Sequence, residues 1–277
     1  MKQQLQGEAA WIYRKVLGHP LLPAFLKQQA PGEPVQVGWG YRPSGRAARK
    51  KCGRLLLLED SFVRSIRPGS GGAVYGLIAD SQGIHYDVDG RSDLLQSLES
   101  GKPVGWMNAG DVGDPGKLME IFRETGASKY NWFPGEYRDG PLPDEEGVLV
   151  VDQSRGDAAI RHGGLTVSDF ERMLRDALDQ AAGTPVYVRS HPDHLFRKKH
   201  SCFPQALLED KRVRLLPPDL SPAQCFSFCH TVMVGSSLMG MEALIHGRKV
   251  VTYGKPFFAG RGLTEDRGAA GSRKNAG

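Results

Sequence analysis

The 277-residue chain has few cysteines and no long apolar run, and each scarcity narrows its function. Its four cysteines, Cys52, Cys202, Cys225 and Cys229, form no CxxC pair. A disulfide-stapled scaffold or a redox dithiol is therefore not expected, and reduced thiols are. Cys225, Cys229 and His230 invite a zinc reading, but i, i+4 cysteines in Ala-Gln-Cys-Phe-Ser-Phe-Cys-His-Thr better fit the buried face of a helix running into a strand. No apolar run reaches the length of a membrane span or a signal core, so the expectation is a soluble or peripheral protein. No repeat with a period of roughly 20 to 50 residues is present, which argues against solenoids and propellers. The formal net charge is +5 and the pI is near 9.0. No aromatic-interleaved basic strand or recognition helix accompanies that charge, so nucleic acid is not an expected partner. A nucleotide or an anionic lipid surface suits it better.

What the chain does contain is enough apolar residue, 40%, for one large or two ordinary cores. The second half alternates cleanly. Val148 to Val151 reads as a buried strand, and a helix over 168–181 carries Phe170, Met173, Leu174, Ala177 and Leu178 on one face, with Ser168 or Asp169 as its cap. Strands follow at Val186 to Arg189, Val213 to Leu216, Thr231 to Val234 and Lys249 to Tyr253, with helices at Ser221 to Cys229 and Leu238 to His246. Such alternation predicts an α/β fold with a parallel sheet covered on both faces.

The first half is less regular. It has a short helix with Trp11, a strand at Val35 to Gly40, and a basic stretch from Tyr41 to Lys51 that Ser44 is placed to cap. A buried strand from Leu55 ends in Glu59 and Asp60. A glycine-rich loop covers Pro68 to Gly76. A hairpin about Ser81 to Gly83 and helices at Arg91 to Glu99 and Lys117 to Thr125 follow, the last with Leu118, Met119, Ile121 and Phe122 as core residues. Pro134 to Gly147 has the composition of a linker. The expected organisation is thus an N-terminal domain over 1–140, a second domain over 141–266 and a disordered tail over 267–277.

Three groups of polar residues end strands of the second domain, where open α/β sheets bind ligands. Asp152, Gln153, Gly156 and Asp157 follow the first strand, and from spacing alone Asp157 reads more readily as a loop or capping aspartate. Arg189, Ser190, His191, Pro192 and Asp193 follow the next, with His191 reading equally as a structural histidine or as a donor to a leaving phosphate, and Arg189 adding positive charge. Gly235, Ser236 and Ser237 turn into a helix carrying Glu242. Such a turn offers N–H groups and hydroxyls to a phosphate, and Glu242 an acceptor for ribose hydroxyls. The plainer alternative is that Ser236 caps the helix and Glu242 lies on the surface. Phe257 and Phe258 sit in a glycine-rich loop with an exposed look, or else pack within it.

Taken in order, Leu-Glu-Asp-Ser-Phe-Val-Arg-Ser (58–65), Ser-Lys-Tyr-Asn (128–131), Val-Asp-Gln-Ser-Arg-Gly-Asp (151–157), Arg-Ser-His-Pro-Asp (189–193), Ser-Ser-Leu-Met-Gly-Met-Glu-Ala-Leu (236–244) and Gly-Lys-Pro-Phe-Phe-Ala-Gly-Arg-Gly-Leu-Thr (254–264) resemble the capsule polysaccharide biosynthesis family. The best-known members of that family are KpsC-type retaining β-Kdo glycosyltransferases. The resemblance runs from about Gly38 to Asp266. It implies two Rossmann-like domains in a GT-B-like arrangement, with CMP-β-Kdo as donor, no metal and no other cofactor. It implies Asp157 as the nucleophile of a double displacement, and Glu59 or Asp60 as the acid/base group. His191, Ser236, Ser237 and Glu242 would hold CMP, and Gln153, Arg64 and Lys129 would meet the sugar or its carboxylate. It also implies a glycolipid or phospholipid acceptor, a link to the capsule assembly machinery, and a cytoplasmic location peripheral to the inner membrane. Two positions depart from the family pattern: Ser61 stands where Gly is usual and Arg261 where Trp is usual. A non-catalytic module that binds a CMP-sugar or a polysaccharide in capsule assembly or export is the alternative.

Overall fold

The computed structural model describes residues 35–51, 53–67, 74–102, 113–133, 142–181 and 183–268. The expected helix at Trp11, most of the glycine-rich loop after Pro68, the domain boundary at 140/141 and the tail beyond residue 268 lie outside the described residues. The chain divides into two compact units, one of Met1–Ser65, Ala73–His85 and Asp89–Val112, the other of Ile66–Gly72, Tyr86–Val88 and Gly113–Gly277.

The first unit holds a three-stranded sheet in the order β1 (Val35–Trp39), β2 (Arg54–Asp60), β3 (Leu77–Asp80). β1 and β2 run parallel, and β3 is antiparallel to β2. Helix α1 (Pro43–Arg49) makes the crossover between β1 and β2 and buries Gly45 and Ala48. A Cβ on Gly45 would lie 1.9 Å from the Gly40 carbonyl oxygen, so only glycine lets the helix approach this closely. Its basic residues Arg42, Arg46, Arg49, Lys50 and Lys51 are exposed. Ser44 does not cap the helix. Arg42 holds the N-cap position, and Ser44 Oγ instead accepts from the Trp39 N–H at 3.2 Å.

The expected hairpin does not form either. The buried Asp80 carboxylate accepts from the N–H groups of Gln82 at 2.8 Å, Gly83 at 2.7 Å and Asp93 at 2.8 Å. The chain after β3 is thereby turned toward helix α2 (Asp93–Ser100), capped by Ser92, rather than into a return strand. Burial raises the Asp80 carboxyl above the ordinary range.

The second unit is built on a six-stranded sheet. Its strands are β4 (Gly147–Val151), β5 (Val186–Arg189), β6 (Val213–Leu215), β7 (Cys229–Val234), β8 (Lys249–Thr252) and β9 (Glu265–Asp266), in the order β6-β5-β4-β7-β8-β9. Every neighbouring pair is parallel. Strand β9 gave no apolar signal, because it is two acidic residues at the sheet edge. All five residues of β4 are buried, as a strand flanked and covered on both sides requires.

Helix α4 (Ala158–His162) follows β4, and α5 (Val167–Gln180) follows it in turn. The expected stripe Phe170, Met173, Leu174, Ala177 and Leu178 is the buried face of α5. Its cap is neither Ser168 nor Asp169. Thr166 takes that place, and Asp169 accepts from the Thr166 N–H at 2.8 Å and hydroxyl at 2.7 Å, as the third helical residue of a capping box does. Short helices α6 (Pro192–Arg197), α7 (Gln205–Leu208), α8 (Pro222–Ser227) and α9 (Met239–Ile245) complete the connections.

Ahead of the sheet, α3 (Pro115–Thr125) forms where expected, but its apolar residues are not core. Leu118, Met119 and Ile121 are 55%, 39% and 43% exposed. The helix docks by another face, where Arg123 Nε donates to the Ile245 carbonyl. Phe257 and Phe258 are buried, so packing is their role.

Candidate active site

The order of the six strands reverses between β4 and β7: the chain leaves β4 toward β5 and β6, then crosses back to the other side. The carboxyl ends of the two strands at such a reversal are the position doubly wound sheets use for ligands. Asp157, Gln153, Ser236 and Ser237 all stand on the loops after β4 and β7.

Asp157 is half-buried and is the N-cap of α4. Gly156, at φ +83°, turns the chain just before it, in a conformation other residues rarely adopt. The Asp157 N–H donates to the Ser154 carbonyl at 3.0 Å, and one carboxylate oxygen accepts from the Ala159 N–H at 3.0 Å. The capping reading of Asp157 is the one this geometry shows.

His191 stands at the carboxyl end of β5 as the N-cap of α6. Its Nδ1 accepts from the Asp193 N–H at 3.1 Å, with Ser154 Oγ at 3.2 Å. That leaves the ring proton on Nε2 in the neutral form. Burial pushes the imidazole down to about 4 despite the nearby carboxylates of Asp193 and Asp157. At neutral pH the ring is therefore an uncharged donor through Nε2.

Gln153 and Ser236 are both buried and bonded to each other twice. Gln153 Oε1 accepts from the Ser236 N–H at 2.8 Å and Nε2 donates to Ser236 Oγ at 3.2 Å. Ser236 Oγ donates to the Ala159 carbonyl at 3.0 Å. Neither serine is the N-cap of α9, which is Leu238. Ser237 is half-buried, and its Oγ accepts from the Met239 N–H at 3.3 Å.

Glu242 is buried, not a surface residue. Its Oε1 accepts from Ser128 Oγ at 2.8 Å and from the Lys129 N–H at 3.1 Å. Its Oε2 is enclosed with no hydrogen-bond partner among the described residues. Burial raises this carboxyl to about 7, against the pull of those donors and of the Arg189 and Lys129 charges. Arg189 is itself buried. It donates to Cys225 Sγ at 3.5 Å and lies 5.4 Å from the centre of the Phe133 ring. The Lys129 ammonium lies 5.7 Å from the centre of the Tyr130 ring.

In the first unit, Glu59 and Asp60 end β2. Glu59 Oε1 accepts from Trp39 Nε1 at 3.2 Å, and Asp60 pairs with Arg64 Nε at 2.6 Å.

Asp152, an acid directly after an all-apolar strand, was named by the sequence but given no role of its own. It is buried, and Oδ1 accepts from the N–H groups of Gln153 at 2.8 Å and Cys202 at 3.1 Å. Oδ2 lies 3.6 Å from His194 Nδ1. Burial raises its carboxyl. It ties the loops after β4 and β5 together. No helix among the described residues is long and apolar enough to cross a membrane.

The family model "Capsule polysaccharide biosynthesis protein" matches residues 143–277. Capsule polysaccharide modification protein LipA of Neisseria meningitidis serogroup A is 35% identical over 256 residues, which are 89% of this chain and 36% of LipA. The chain thus spans about a third of that relative. Lipopolysaccharide-processing protein LpsZ of Rhizobium meliloti is 31% identical over 83% of this chain and 53% of its own. Among solved structures, Thermosulfurimonas dismutans KpsC, beta Kdo 2,4 transferase, superposes with a TM-score of 0.70 at 31% identity, covering 83% of this chain and 72% of that one. The KpsC beta Kdo 2,7 transferase of the same organism shares the fold, with a TM-score of 0.64 at 24% identity over 98% of this chain and 83% of its own.

Proposed function

The chain belongs to the KpsC-type capsule polysaccharide biosynthesis family, and we propose that it is a Kdo transferase module of the two-domain GT-B kind, taking CMP-β-Kdo as donor and a Kdo-bearing glycolipid or phospholipid as acceptor. The observation that carries this reading is Asp157: a carboxylate held by the Ala159 N–H at the carboxyl end of β4, its charge felt by His191 at the end of β5. An Asp157 oxygen attacks the anomeric carbon, the bond from that carbon to the phosphate oxygen breaks, and its electron pair leaves with CMP. The acceptor hydroxyl oxygen then attacks the same carbon, the bond to Asp157 breaks, and the hydroxyl proton passes to a base. Two inversions give retention. His191, neutral and protonated on Nε2, donates to the departing phosphate without a charge of its own. Glu59 and Asp60 are proposed for the acid/base role, with Asp60 already engaged by Arg64.

The module would work on the cytoplasmic side of the inner membrane as a peripheral protein, beside the capsule assembly machinery. Mixing the protein with CMP-Kdo and following intact mass tests the reading. A covalent Kdo adduct is expected, consumed on addition of a Kdo-lipid acceptor and absent in Asp157→Asn. Equal turnover by Asp157→Asn removes the nucleophile. Donor binding with neither adduct nor product leaves the non-catalytic CMP-sugar-binding module in its place.

A further inference from the structure

Ser236 has no hydrogen-bond donor to spare. Its N–H is donated to Gln153 Oε1 and its hydroxyl to the Ala159 carbonyl, while the hydroxyl oxygen accepts from Gln153 Nε2. Gln153 is 4% exposed and Ser236 8%. The surroundings are closed as well. A Cβ on Gly235 would lie 2.7 Å from Gln153 Oε1, and one on Gly163 would lie 3.2 Å from Ser236 Cβ. A phosphate oxygen reaching Ser236 would have to break a buried bond, which costs more than an exposed contact returns. Ser237 differs: its oxygen accepts from Met239 N–H, and its hydroxyl proton is uncommitted among the described residues.

We propose that Gln153 and Ser236 are positioning residues, a buried clamp that fixes the Asp157 carboxylate against the turn after β7, and that Ser237 is the serine that donates to the donor phosphate. The path is short. Ser236 holds the Ala159 carbonyl, and the Ala159 N–H holds Asp157 Oδ1. The loop after β7 thereby sets where the carboxylate stands relative to a nucleotide bound on that loop. Misplacing a nucleophile by a fraction of its reach slows attack without weakening binding. This inference rests on the reading of Asp157 as nucleophile and of the turn as donor site.

The test compares Ser236→Ala, Gln153→Met and Ser237→Ala. CMP affinity is measured by calorimetry, and the rate of Kdo-adduct formation by intact mass. Ser236→Ala and Gln153→Met are expected to bind CMP within about twofold of the parent and to form adduct about 10²-fold more slowly. Ser237→Ala is expected to lose about tenfold in CMP affinity. Loss of CMP affinity in Ser236→Ala equal to that in Ser237→Ala, or an unchanged adduct rate, overturns the clamp. If the two clamp variants do not fold, amide exchange in the parent decides: the Ser236 N–H is expected among the slowest-exchanging amides, and fast exchange there overturns the proposal. A parent that binds CMP but forms no adduct defeats the proposed activity alone, and the clamp is then judged by amide exchange and the CMP affinities.

Discussion

The carboxylate of Asp157 and the hydroxyl of Ser236 grip opposite ends of one residue. Ala159 donates its N–H to the first and accepts from the second, both at 3.0 Å. Any substitution of Asp157 therefore mixes a structural effect with a chemical one, and two variants separate them. Asparagine keeps a side-chain oxygen for the Ala159 N–H, so Asp157→Asn should unfold in urea within about 0.5 kcal/mol of the parent. Asp157→Ala loses the cap and about 1 kcal/mol. Neither should form the adduct. An Asp157→Asn protein that is as destabilised as Asp157→Ala would mean that the cap is not what holds this residue.

The start of α5 gives a second test, in which adjacent hydroxyls should behave differently. Thr166 is the N-cap and exchanges bonds with Asp169, whereas Ser168 lies inside the first turn and is exposed. Thr166→Ala should cost about 1 kcal/mol in denaturant unfolding and Ser168→Ala almost nothing. The reverse order would restore the cap expected from sequence.

That misplacement by two residues is typical of what local pattern conveys. The apolar run of β4 and the spacing of Phe170, Met173, Leu174, Ala177 and Leu178 are properties of consecutive residues, so strand, helix and buried face were all legible. The family motifs brought out Asp157, His191, Ser236 and Glu242. The partners of Ser236 and Glu242 were not legible, because they come from far along the chain. Gln153 meets Ser236 across 83 residues, and Ser128 meets Glu242 across 114. A periodic face says which side of a helix is apolar; what lies against it is decided by tertiary structure.

Helix α3 makes that last point measurable. Leu118 and Ile121 carry the same helical spacing as the core face of α5, yet they are 55% and 43% exposed, against 1% for Phe170. Leu118→Ser and Ile121→Ser should each change stability by less than about 0.5 kcal/mol. Phe170→Ala, which empties a packed site beside Phe203, should cost about 3–5 kcal/mol. A large loss at Leu118 would show that something covers α3 in solution.

Glu242 provides a pH dependence with a definite sign. Its carboxyl is raised from 4.5 to about 7 by burial, more than Ser128, Lys129 and Arg189 together offset. Between those values the folded protein holds a proton that the unfolded chain has released, so folding is favoured by acid. The contribution is complete below about pH 4.5 and lost as pH rises through about 7, a difference on the order of 3 kcal/mol. Glu242→Gln keeps an oxygen for Ser128 and Lys129 but cannot ionise. Urea unfolding from pH 5 to 8 should therefore show stability falling with pH in the parent and a flatter profile in Glu242→Gln, whatever the offset between the two curves. Other groups titrate in the same range, among them His246, whose imidazole is lowered by burial, so the difference between the profiles is the quantity to read. If the two profiles run parallel, Glu242 is already ionised in the folded protein at pH 5, and the enclosed Oε2 must then be met by a donor such as an ordered water.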